Sequence, residues 1–145
     1  MKVKELMTRD VIRIRPEEPV AVAARNLTHY NIGMLPVCGS DGKLRGVVTD
    51  RDIVTRCLAA GRSPENTTVG QIMTSQVHSV DPNMDTALAA AMMGRRQIRR
   101  LPVVESGKLC GMLSLGDLTR REETALDAAD VLADVTDNIS RPDSW

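Results

Sequence analysis

Two stretches of the chain, GVVTDRDI at residues 46–53 and GMLSLGDL at residues 111–118, share one chemical layout. Each runs as apolar residues up to a hydroxyl, Thr49 or Ser114, and reaches a carboxylate, Asp52 or Asp117, three positions later. A strand that ends at a hydroxyl and turns into a helix sets that hydroxyl beside free backbone N–H groups. The positive end of the helix dipole lies there too, and the combination suits a phosphate. A carboxylate in the first turn can accept hydrogen bonds from both hydroxyls of a ribose, as acidic residues do in dinucleotide folds. Arg51, between the two in the first stretch, can pair with phosphate charge. The same pattern also serves a plainer end, with Thr49 as an N-cap and Asp52 as a partner of the dipole. The motif alone leaves both roles open.

No catalytic constellation accompanies these residues. There is no Ser-His-Asp set, no Walker lysine and no Cys-His pair at interpretable spacing, so the reading is not an enzyme. Cys38, Cys57 and Cys110 form no CxxC pair, and with only His29 and His78 available a metal site is not expected. Cys38 and Cys110 lie in apolar runs and read as buried small hydrophobes, while Cys57, on a helix, reads as the more accessible.

Composition narrows the class of partner. The 145 residues carry 19 basic and 19 acidic side chains, so no net field selects nucleic acid or an anionic membrane. Tyr30 and Trp145 are the only aromatic residues, which argues against stacking single-stranded bases. No apolar run is long enough for a membrane span, and MKVKELMTRD lacks the apolar core of a signal peptide, so a cytoplasmic protein is expected.

The elements that position the motifs are written twice. Val3, Met7, Thr8, Val11, Pro16, Ala24, Ile32, Leu35, Pro36 and Val37 recur sixty-six positions later as Val69, Met73, Thr74, Val77, Pro82, Ala90, Ile98, Leu101, Pro102 and Val103. A turn then loses one residue, and Gly46, Thr49 and Asp52 match Gly111, Ser114 and Asp117 at an offset of sixty-five. Each copy reads as β-α-β-β-α. Short strands are expected at residues 11–14 and 77–80, helices at 19–30 and 85–96, and hairpins built on LPVC and LPVV. Further helices begin at Asp50 and near Gly116, and residues 60–70 read as the linker between copies. The division expected is 1–62, 63–122, and a tail 123–145 that is helical to about Val135 and frayed from Ser140.

This β-α-β-β-α unit resembles the cystathionine β-synthase (CBS) domain, on the M-T before the first strand, the hLPVh second strand and the G-h-h-[ST]-x-x-D run into the last helix. Two such copies resemble the tandem arrangement called a Bateman module, and a stand-alone pair without a catalytic domain is expected. The resemblance implies a mixed α/β fold, with two repeats packed sheet to sheet about a pseudo-twofold axis. It also implies clefts that take adenosyl ligands such as AMP, ADP, ATP or S-adenosylmethionine. By the same resemblance, Asp52 and Asp117 face the ribose, and Thr49 and Ser114 face the phosphates. Arg100, just before the second LPV, is then a phosphate ligand. The backbone from Thr8 to Val11 and from Thr74 to Val77 takes the edge of the base.

The function expected is a regulatory, ligand-sensing module that reports occupancy to an unidentified regulated protein. The alternative is a structural homodimer whose clefts are vestigial. A homodimer is expected in either case, joined through the helices after Pro19, Asp50, Asp85 and Gly116. Their alanine- and methionine-rich faces exceed what one small module can cover.

Overall fold

The structure, a computed structural model, describes residues 1–140, and the end of the tail expected to fray lies outside the described residues. In chain order the helices are α1 (Val20–His29), α2 (Asp50–Asp52, continued as a π-helix over Ile53–Leu58), α3 (Val69–Ile72), α4 (Thr86–Arg96), α5 (Leu115–Thr119) and α6 (Glu122–Ser140). The strands are β1 (Met34–Cys38), β2 (Leu44–Thr49), β3 (Arg100–Glu105) and β4 (Lys108–Ser114). They form two separate two-stranded sheets, β1 with β2 and β3 with β4. The mixed helix-and-strand class and the doubled unit are therefore as the sequence implies.

The compact units do not follow the boundaries of the repeats. One unit gathers Met1–Val11 with His78–Glu105 and the described residues from Cys110 onward; the other gathers Ile12–Val77 with Ser106–Leu109. Each copy thus lends its opening segment to the other copy's unit. The last part of the expected linker is an ordered element: Thr68 and Gln71 close a capping box around α3, and Val20 N–H donates to the Thr67 carbonyl at 2.8 Å.

The strands expected at residues 11–14 and 77–80 shrink to single parallel bridges, Ile14 with Val37 and Val80 with Val103. Prolines impose that limit. Ile14 N–H donates to the Pro36 carbonyl at 3.0 Å and Cys38 N–H to the Ile14 carbonyl at 2.9 Å. Extending the ladder one way needs a proton on the nitrogen of Pro16, and the other way one on Pro36, and proline has neither. In the second copy Pro82 and Pro102 block the same two bonds around Val80.

Glycine solves a packing problem at the opposite side of each hairpin. Val47 exchanges two backbone hydrogen bonds with Thr74, at 2.9 and 2.8 Å, and Met112 exchanges two with Thr8, both at 2.9 Å. A β-carbon on Gly46 would collide with the Thr74 carbonyl oxygen, and one on Gly111 would lie 2.9 Å from the Thr8 carbonyl oxygen and 2.8 Å from Met7 Sδ. The backbones can approach this closely only over glycine.

Each unit has its own apolar core. Val20, Ala23, Leu27, Leu35, Val37, Val48, Ile53 and Cys57 centre one; Ala89, Met93, Leu101, Val103, Leu113 and Leu118 centre the other. Cys57, expected to be the accessible thiol, is 0% exposed, because it falls one turn after Ile53 on the inward side of the π-helix. Burial pushes the Cys38 thiol above its ordinary pKa against the opposing charge of Arg13, and burial raises Cys110 as well.

The tail helix packs on the second of these cores, with Thr124, Ala128, Val131 and Val135 buried at positions i, i+4, i+7 and i+11. The faces of α4 and α5 that the sequence offers to a second chain are thus partly covered from within this one, and Asp134 lies against Gly94.

Gly46→Ala and Gly111→Ala are each expected to destabilise the fold by about 1–3 kcal/mol, the scale of overpacking. Gly116→Ala is expected to move the other way, by about 0.5–1 kcal/mol, because it sits in a helix with only Ser114 Oγ, at 3.6 Å, near its β-carbon position. Urea melts of the three variants measure both signs.

Candidate functional site

Strand β2 ends at Thr49 and strand β4 at Ser114, both in extended backbone (φ −115° at each), and a helix starts at the next residue. In each case hydroxyl and carboxylate form a reciprocal capping box. Asp52 N–H donates to Thr49 Oγ1 at 3.1 Å while Thr49 N–H donates to Asp52 Oδ2 at 3.0 Å. Asp117 N–H donates to Ser114 Oγ at 3.1 Å while Ser114 N–H donates to Asp117 Oδ2 at 2.8 Å. The capping role that the motif allows is therefore realised in full, in both copies.

The other carboxylate oxygen has a partner too. Thr74 Oγ1 lies 3.3 Å from both oxygens of Asp52, and Arg56 Nε lies 3.8 Å from Oδ1. Arg120 Nη1 lies 2.9 Å from Asp117 Oδ1. Asp52 and Asp117 are only 7% and 2% exposed, so neither is an open helix-start carboxylate. Their arginine partners stand largely in solvent, with side chains 53% and 70% exposed. Sequence reasoning passed over Arg56 and Arg120, yet their helical spacing of i+4 and i+3 from the carboxylates was the available signal.

Free N–H groups at the helix start prove scarce in the first copy. Asp50 N–H donates to the Gly33 carbonyl, Arg51 N–H to Asp50 Oδ1 at 2.9 Å, and Asp52 N–H is in the box. Asp50 also adds a negative charge where phosphate would sit. The second copy has Leu115 and Gly116 at these positions, so the Asp50 charge and the bond that Arg51 N–H makes to it have no counterpart there.

The exchange of opening segments sorts the predicted residues into two groups. Thr49, Arg51, Asp52, Thr74 and Val77 belong to one unit. Thr8, Val11, Arg100, Ser114 and Asp117 belong to the other. Thr74 meets Asp52 directly, and the Thr8 backbone bridges to Met112, two residues before Ser114. Arg51 and Arg100 are exposed, and Val11 and Val77 half-buried. The Arg99 carbonyl accepts from Leu115 N–H at 2.8 Å, which ties the residue before Arg100 to the start of α5.

Two cavities lie away from these groups. One, of about 380 Å³, is lined by Arg13, Arg15, Glu18 and Cys38, and a smaller one, of about 260 Å³, by His78, Met92, Arg95 and Arg96.

Comparison with known proteins decides the family. The profile of the CBS domain matches residues 3–59 and again residues 69–124. This chain belongs to the CBS domain family. It is 36% identical to the CBS domain-containing protein YhcV of Bacillus subtilis over 134 residues, covering 92% of this chain and 94% of that one. Hypoxic response protein 1 of Mycobacterium tuberculosis is 34% identical over 117 residues, 81% of this chain and 82% of that one. A crystal structure of Hypoxic Response Protein I with two coordinated zinc ions superposes with a TM-score of 0.76 at 33% identity, covering 83% of this chain and 98% of that one. The CBS domain pair of protein MJ0100, solved with 5′-methylthioadenosine and S-adenosyl-L-methionine, gives 0.72 at 27% identity, with 83% and 98% covered. Among the described residues of this CBS pair, no three His, Cys, Asp or Glu side chains converge as a metal site, and no helix is long and apolar enough to cross a membrane.

Because both carboxylates cap a helix from a buried position, Asp52→Ala and Asp117→Ala are each expected to cost about 0.5–2 kcal/mol of stability. Arg120→Gln removes only an exposed partner and is expected to stay within about 0.5 kcal/mol of the parent. Chemical denaturation of the three variants measures the contrast.

Proposed function

We propose that this CBS pair is a regulatory module that binds an adenosyl compound, one of AMP, ADP, ATP or S-adenosylmethionine, and passes occupancy to a regulated protein while acting as a homodimer. The observation that carries the reading is the doubled arrangement of hydroxyl, buried carboxylate and exposed arginine. In each copy Oδ2 of the aspartate is committed to the cap; Oδ1 is held in the second copy by Arg120, which stands in water, and in the first by the Thr74 hydroxyl and by Arg56, itself bonded to the Ile72 and Met73 carbonyls. An ion pair with a solvent-exposed arginine is worth roughly 0–1 kcal/mol, so a ribose hydroxyl can replace Arg120 there at small cost.

In this reading Asp52 and Asp117 take the ribose, and Thr49 and Ser114 hold the helix start in place. Arg51 and Arg100 meet the charged end of the ligand, and the base lies in an aliphatic slot near Val11 and Val77. The adenosyl ligands named for the MJ0100 pair, a relative of this chain at 27% identity, support the same class. Asp50 beside Arg51 makes the first copy the poorer host for a polyphosphate, so the Ser114/Asp117 copy is the one proposed for nucleotides.

A second reading, a structural homodimer with sites that hold nothing, draws on the same capping boxes, since every carboxylate oxygen already has a protein partner. Titration calorimetry with AMP, ADP, ATP and S-adenosylmethionine separates the two. At a ligand concentration of a hundred times Kd, thermal stability is expected to rise by about 2.7 kcal/mol. Asp117→Asn, which keeps the oxygen that caps the helix, is expected to weaken binding roughly tenfold or more, in line with a hydrogen bond to a charged group. Silence from all four compounds at millimolar concentration favours the structural reading.

A further inference from the structure

The internal duplication supplies a precedent for how these helices are covered. On α4, Ala90 and Gly94 lie one turn apart on the side that receives α6, and both are buried. Their counterparts sixty-six positions earlier are Ala24 and Thr28 on α1. There the same strip is open: Ala24 is half-buried, Thr28 is exposed, and a groove of about 510 Å³ runs along Ala24, Arg25, Thr28 and His29. Beside it α2 exposes Val54 and Leu58, at 56% and 55%.

The helix that fills the strip on α4 has a second apolar stripe. Thr124, Ala128, Val131 and Val135 face inward, while Leu126, Ala129 and Ala133 repeat at i, i+3 and i+7 on the opposite side, with Leu126 82% exposed and Leu132, on the flank, 51%. Helices with apolar stripes on opposite sides pack against something on each. Charge adds direction. From Glu122 to Ser140 the helix carries no Lys or Arg; Glu122 lies on the outer stripe and Glu123 and Asp130 beside it, while Asp127 and Asp134 lie toward the unit's own core. The open groove is flanked by Arg25 and His29, and Arg51 stands exposed on α2 three and seven residues before Val54 and Leu58, whereas Arg56 is turned to Asp52 and to the Ile72 and Met73 carbonyls. An acidic stripe and a basic groove of one chain complement each other between copies.

We propose that the outer face of α6 docks on the α1 groove of a second copy, along Ala24 and Thr28, and that the contact is reciprocal, so that a twofold dimer holds two of them. This rests on the homodimer reading above and names its interface. It assigns α6 two roles on one helix: the inner stripe completes its own unit, and the outer stripe recruits the partner.

Two single variants, Thr28→Cys and Ala129→Cys, are purified separately, mixed and oxidised mildly. A disulfide-linked dimer is expected from the mixture and from neither variant alone, since Cys38 and Cys57 are buried and the half-buried Cys110 thiol is turned to the Val103 carbonyl. Light scattering of the parent at micromolar concentration is expected to give twice the mass of one chain, with the dimer weakening as salt rises. Leu126→Glu with Ala129→Glu, both on exposed positions, is expected to raise the dimer dissociation constant at least tenfold while leaving the circular dichroism spectrum and melting unchanged. A parent that runs as a single chain overturns both this inference and the homodimer reading. A dimer that survives the glutamate pair and gives no disulfide between positions 28 and 129 overturns the α6 interface alone.

Discussion

A pair of backbone hydrogen bonds between a strand and a segment from the other repeat organises each half of this protein. Val47 with Thr74, and Met112 with Thr8, are the contacts through which the Met-Thr segment ahead of one repeat becomes part of the other repeat's unit. The approach is too close for any side chain on the strand at that point, so Gly46 and Gly111 are requirements of the exchange. The bridge also fixes what stands near the carboxylates. Because Thr74 is pinned beside Val47, two residues before Thr49, its hydroxyl comes within 3.3 Å of Asp52. One packing constraint therefore explains a glycine, a threonine and an aspartate that the sequence presents as separate motifs.

The aspartates show how the structural role of a cap can coexist with the binding role proposed for the same side chain. A buried carboxylate needs its lone pairs satisfied, and the two capping N–H groups are the fixed part of that satisfaction. The remaining oxygen is served by the Thr74 hydroxyl at 3.3 Å and a guanidinium at 3.8 Å in one copy, and by a guanidinium at 2.9 Å in the other. The cap orients the carboxylate permanently, so no torsion has to be ordered when a ligand arrives. An exposed aspartate would have to lose rotamer freedom at that moment. Burial, which looks at first like evidence against binding, is what pre-orients the group.

Much of this was legible from residue types alone. The duplication, the hairpins on LPVC and LPVV, the starts of α2 and α5 and the pairing of hydroxyl with carboxylate all follow from local patterns of turn residues, apolar runs and caps. What was not legible depends on residues far apart in the chain. The single-bridge strands around Ile14 and Val80 require knowing which nitrogen each proline would have offered, and that depends on register between segments. Helix α3 hides in a stretch rich in turn formers, and its signal was the Thr68–Gln71 capping box. Burial of Asp52 and Asp117 could not be read either, because a carboxylate in a first turn is ordinarily at the surface.

The two copies have diverged where the chain adds something of its own. Gly94 in place of the threonine at 28 leaves room for Asp134 of α6, and Leu115–Gly116 in place of Asp50–Arg51 strips one helix start of its competing charge. Both changes fall in the same unit, and one element joins them. Helix α5 begins with the Ser114–Asp117 box, and its next residue, Leu118, is fully buried in the core that also holds Ala128, Val131 and Val135. The Leu118 carbonyl accepts the hydroxyl of Thr124 in the first turn of α6. A helix with no basic residue to offset its own acids depends on packing for its stability, and α6 finds that packing on α4 and α5. The five residues of α5 are therefore shared: one end holds the buried carboxylate of Asp117, and the other holds the first turn of α6.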